Sequence, residues 1–113
     1  MLKGLGDMAR LMQEAQKMQE RMGEAQEKIA GMEVEGSSGA GMVRAVATGA
    51  GELRSLDVDA SLVDGTEEKA VLEDLIVAAV NDALSKAREA GQEEMAKLTE
   101  GLPLPPGFKP PSL

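Results

Sequence analysis

Apolar side chains recur with a helical period over the first quarter of the chain. Met8, Leu11, Ala15, Met18, Met22, Ala25 and Ile29 follow one another at steps of 3, 4, 3, 4, 3 and 4 residues, the spacing that lines one face of a helix with a continuous seam. The pattern predicts a long amphipathic helix over residues 5–30, with Asp7 as N-cap or first-turn acid and Gly31 where helices commonly stop. Gly23 is its weak point, costing about 1 kcal/mol against Ala. From Met32 to Ala60 the period falls to two: Met32 and Val34, then Val43, Ala45 and Ala47, then Leu56 and Val58 alternate with mostly polar neighbours. Glycine-rich stretches at Gly36–Gly41 and Gly49–Gly51 separate these runs, so an antiparallel meander of three short strands is expected, with one face in need of cover.

Asp64 or Thr66 then offers an N-cap, and Glu67 and Glu68 suit the positive end of a helix. Val71, Leu72, Leu75, Ile76, Ala79, Val80, Ala83, Leu84 and Ala87 mark a broad apolar face. A second helix is predicted over residues 66–100, with Gly91 as a candidate break. The segment 102–113 holds all five prolines and cannot be helical. The expected fold class is α+β, in one domain spanning residues 1–113.

Helix length bears on assembly. At ~1.5 Å per residue the first helix runs nearly 40 Å and the second about 50 Å, whereas a compact chain of this size is roughly 35 Å across. Both helices therefore project, and a projecting apolar seam calls for a partner; the alternative is that the two pair within one chain over the sheet. A homodimer is expected, with Val43, Ala45, Val46, Leu56, Val58, Leu75, Ile76 and Ala79 as its contact, from the sheet and the start of the second helix.

Composition narrows the chemistry. The chain has no His and no Cys, which removes the commonest general base, thiol nucleophiles and most transition-metal sites. No catalytic residue, metal site or cofactor is expected. Carboxylates do not fill the gap: Glu33 and Glu35 share a strand face with nothing to separate their pKa values. Asp57, Asp59, Ser61 and Glu68 have part of the spacing of a calcium loop, but Leu62 stands where that loop needs Gly. Gly36–Gly41 lacks the Gly-Lys-Ser/Thr ending of a phosphate loop and joins two strands. No run reaches the ~20 apolar residues of a membrane span, and the amino terminus lacks the apolar core of a signal peptide, so a cytoplasmic location is expected.

Charge leaves one informative pattern. Lys3, Arg10, Lys17, Arg21 and Lys28 are offset by 7, 14, 18 and 25 residues, which at about 100° per residue puts all five within roughly 40° of one another. Such a stripe can follow a phosphate backbone. Asp7, Glu14 and Glu24 lie close to the same face, and Glu14 or Glu24 is placed to pair with Lys17, Arg21 or Lys28. Lys86, Arg88 and Lys97 form a second candidate set. The net charge of -8 restricts attraction to nucleic acid to local, salt-sensitive contacts, and the lack of Tyr and Trp argues against a stacking platform for single strands. Met8, Met12, Met18 and Met22 suit either packing or an adaptable peptide groove. Pro103-Leu104-Pro105-Pro106 has PxxP spacing, and Pro106-Gly107 suits a turn that docks Phe108 on the body.

Four blocks carry a family likeness: MQEAQKMQERM in the first helix, SGAGMVRAVATGAG in the hairpin, LEDLIVAAVNDAL in the second helix and LPPGFKPP in the tail. In this order they resemble the YbaB/EbfC family of bacterial nucleoid-associated proteins, over nearly the whole chain. The resemblance implies a homodimer with projecting helices that binds double-stranded DNA with little sequence demand, in the nucleoid, for nucleoid organisation or gene regulation. It implies no catalytic residues. Ala45 and Ala47 depart from it, standing where bulkier β-branched residues are expected in such a sheet. From a different class, an adaptor for DNA repair or replication proteins is the alternative function.

Overall fold

The structure, a computed structural model, describes residues 2–100, with side chains from residue 4 onward. The proline-rich segment, with its PxxP motif and Phe108, lies outside the described residues. The order is α1 (Leu2–Gly31), β1 (Glu33–Ser38), β2 (Val43–Thr48), β3 (Leu53–Val58) and α2 (Lys69–Ala96), with single 3-10 turns at Gly39–Gly41, Ala60–Leu62 and Lys97–Thr99. Strands β1, β2 and β3 form an antiparallel sheet in that order, as the period-two pattern predicts.

Several local expectations shift. Asp7 lies inside α1, which begins at Leu2, so it caps nothing. Asp64 accepts hydrogen bonds from the Thr66 backbone N–H and hydroxyl, holding its own turn, and Glu68 occupies the N-cap position of α2. Gly91 does not break α2; it is buried there, and an added Cβ would sit 3.4 Å from Ile29 Cγ2. Gly36 belongs to β1 and not to the turn, which is confined to Gly39, Ala40 and Gly41, all with left-handed φ of 56° to 89°.

The core is built from very small side chains. Val43, Ala45 and Ala47 point from β2 at Ala79, Ala83 and Ala87 of α2, and none of the six is more than 1% exposed. The departure noted at Ala45 and Ala47 thus has a physical reason: α2 lies too close for branched side chains. Gly36 marks the closest approach, since a Cβ there would overlap the backbone of Ala83. Two polar contacts hold the same flank of α2 to β1: Asp82 accepts from the Ser37 backbone N–H at 3.0 Å, and the Ser38 hydroxyl donates to the Leu75 carbonyl.

Helix α2 covers β1 and β2 but barely touches β3. Val58 and Leu56 are paired with Val43 and Ala45 and therefore face the same way, yet Leu53 and Leu56 remain 47% and 41% exposed. Thirty residues long, α1 spans about 45 Å. Among the described residues it meets the rest of the chain mainly through its last third, where Ala25 is buried and Ile29 half-buried against the end of α2 and the β2–β3 turn. The two helices do pair within the chain, beside the sheet instead of over it. The rest of α1 projects, giving extents of 80 × 26 × 17 Å and a radius of gyration of 21.4 Å, against about 13 Å for a compact chain of this length.

Candidate nucleic-acid interface

The candidate surface is carried by α1, whose regular turn places its basic residues in line. Arg10, Lys17 and Arg21 are exposed and carry no ion pair among the described residues. The side chain of Lys3 lies outside the described residues. Lys28 is engaged: its Nζ sits 2.7 Å from a Glu94 carboxylate oxygen, and Lys97 reaches the other oxygen at 3.2 Å. Hydrogen bonds from Lys28 and then Lys97 hold the Glu94 carboxyl below the ordinary glutamate range. This three-membered clasp ties the end of α1 to the end of α2, beside the packing of Ile29 on Gly49 and Gly91. Arg21, Glu24, Ala25, Lys28, Glu94, Lys97 and Leu98 surround it in a cleft of about 220 Å³.

The ion pairs expected within α1, from Glu14 or Glu24 to Lys17, Arg21 or Lys28, are absent among the described residues. Five basic and five acidic residues balance along α1, so the whole net charge of -8 comes from the rest of the chain. Of the two long helices, α1 is the less repelled by a polyanion, since α2 carries six acidic residues against three basic ones.

Helix α2 does not build a second stripe. Lys86 pairs with Asp82 at 2.9 Å, while Arg88, two residues on, points about 200° round the helix. The Asp82 carboxyl is held low by the Ser37 backbone N–H first and by Lys86 second, which makes Lys86 a brace for the helix–sheet contact. Arg44 and Arg54 are exposed cations outside both predicted sets. Arg44 lies on the outer sheet face, with Nε donating to the Gly41 carbonyl at 3.3 Å and 3.9 Å from Glu35. Period-two alternation puts it opposite the core face and so could have flagged it.

The residues expected at a dimer contact do not lie together. Val43, Ala45 and Ala79 are completely buried inside the protomer, so they have no surface to present to a second chain. Val46 is on the outer face, paired with Glu35 and Ser55. Leu75 lies near the Gly39 turn at the end of β1. Leu56, Val58 and Ile76 remain, on the side where α2 leaves β3 uncovered. There Val80 and Val77 point away from the Asp82 flank, and Val77 is 57% exposed.

No helix among the described residues is long and apolar enough to cross a membrane. The fold is similar to that in the crystal structure of an uncharacterized protein, HP0035, from Helicobacter pylori. The TM-score is 0.66 at 24% identity, over 80% of this chain and 94% of that one. Residues 4–102 match the YbaB/EbfC DNA-binding family.

Proposed function

Because the chain belongs to the YbaB/EbfC DNA-binding family, we propose that it binds duplex DNA as a homodimer with little sequence specificity and contributes to nucleoid organisation and gene regulation. The observation that carries this reading is the arm: Arg10, Lys17 and Arg21 share one face of a projecting, charge-balanced helix and, among the described residues, spend none of their charge on ion pairs. They span about 16 Å along α1, a length that follows a phosphate backbone without reaching for base edges. Contacts of this kind position a protein on DNA and carry no sequence information. Lys28 and Lys97 orient the arm, and the uncovered face of β3 with Leu53 and Leu56 supplies the contact between two protomers. Two arms then reach one duplex from a shared base.

Three free cations per protomer neutralise about six phosphates per dimer, for a log–log salt slope near -5. Fluorescence anisotropy of labelled duplex DNA is expected to show steep loss of affinity between low and moderate salt. Equal affinity across that range would overturn the reading. Reversing the charges of Arg10, Lys17 and Arg21 together should abolish the salt-sensitive binding while leaving the circular dichroism spectrum unchanged.

A second reading, an adaptor for DNA repair or replication proteins, draws on the uncovered Met8–Leu11–Met12 seam of the same arm. It predicts no DNA binding by the pure protein at any salt concentration.

A further inference from the structure

At the root of the arm, cations from two elements are gathered round one carboxylate. Lys28, in the last turn of α1, and Lys97, in the 3-10 turn that follows α2, contact different oxygens of Glu94 at 2.7 and 3.2 Å. The two sides of this contact are not equally covered. The Glu94 side chain is 13% exposed, whereas those of Lys28 and Lys97 are 61% and 60% exposed. The carboxylate thus lies underneath, and the two lysines form the outer surface. Arg21 borders the same cleft, about two turns before Lys28 on the same face of α1. It has no ion pair among the described residues.

Two ammonium groups repel one another at short range, so a pair of lysines is not brought together at a surface without a counter-charge. Glu94 supplies it, and takes from each lysine only one of its three N–H donors. The other donors, with the fork of the Arg21 guanidinium, remain for a ligand in a concave site of about 220 Å³. Such donors are the usual partners of phosphate oxygens. Glu24 also lines the cleft and is the exposed carboxylate that opposes an anion there. We propose that the α1–α2 joint is a binding site for a phosphate group, with Arg21, Lys28 and Lys97 as its donors and Glu94 as the positioning residue that holds the two lysines together. The phosphate belongs to a free oligophosphate or to the backbone of DNA, and only the second source rests on the function proposed above. From either source, the bound group bridges α1 and α2 and fastens the arm a second time.

Titration of the full chain with inorganic pyrophosphate, followed by NMR of the lysine side-chain methylenes, is expected to move Lys28 and Lys97 and to leave Lys69, the first residue of α2, in place. Lys97→Ala should weaken pyrophosphate binding about tenfold, while Lys69→Ala removes the same charge without effect. The two glutamates separate positioning from charge. Glu24→Gln removes an opposing charge and should tighten binding; Glu94→Gln removes an equal charge and should weaken it, because the lysines are no longer held together. Equal movement of all lysines, or tighter binding in Glu94→Gln, would overturn the proposal. Duplex DNA identifies the source. A backbone seated in the joint adds one phosphate per protomer, steepening the log–log salt slope from about -5 to about -7, and Lys97→Ala should restore about -5. A slope of about -5 with and without Lys97, alongside bound pyrophosphate, assigns the site to free phosphates. Salt-sensitive DNA binding without pyrophosphate binding overturns this site and leaves the proposed function standing. Pyrophosphate binding without DNA binding does the reverse.

Discussion

Gly36 shows how one absent side chain sets a distance. Its position in β1 lets the backbone of Ala83 approach until no Cβ fits between them, and Ala45 and Ala47 extend that closeness across β2. Gly36→Ala forces α2 off the sheet and should cost about 2 kcal/mol or more, lowering the thermal midpoint by roughly 10 °C. A midpoint unchanged to within about 2 °C would mean that helix and strand part freely. Composition signals a small-residue core, and the departures at Ala45 and Ala47 are visible in the sequence. The role of Gly36 is not, because a glycine beside Ser37 and Ser38 reads as a turn until something is known to pack on it. The same limit hides the burial of two residues expected at a dimer contact: alternation says that Val43 and Ala45 face one way, but not that α2 of the same chain fills that side.

At the scale of elements, both long helices and all three strands follow from periodicity alone, since each buries one face and alternates accordingly. What joins α1 to α2 does not follow, because Lys28 and Glu94 lie far apart in sequence and each has an equally plausible partner nearby. Glu94 gives this joint a pH dependence. Its carboxyl is held below the ordinary value of 4.5 by Lys28 and Lys97. The folded-state pKa is thus depressed, and the stabilising contribution is complete above that value and lost as pH falls through the lowered one. Methyl signals of Ile29 and Met22, followed by NMR, should therefore report loosening of α1 in acid below about pH 4.5. In Glu94→Gln that acid step should vanish, with the joint already weakened at neutral pH. An unaltered acid step in the variant would place the titrating group elsewhere.

At the scale of the molecule, a half-sandwich built along α2, about 42 Å long, carries an arm of about 30 Å. The length argument made from sequence anticipates the projection of α1 but not that α2 lies along the sheet. Length alone does not say which surface stays open. Helix α2 does, by settling over β1 and β2 and leaving Leu53 and Leu56 on β3 bare. Leu56→Glu should leave the protomer folded, because that side chain is already partly in solvent, and should shift sedimentation equilibrium to the monomer mass. A dimer of undiminished strength would move the contact away from β3. Loss of the dimer should also flatten the salt slope of DNA binding to about half, as one arm replaces two. The facing alanines of β2 and α2 matter at this scale too. Alanine has no rotamers to exchange, so the platform beneath the arm has few ways to yield by degrees. A swing of α1 is then taken up where its last turns meet α2, among Ile29, Gly91 and the Lys28–Glu94 pair, and not in the body that carries it.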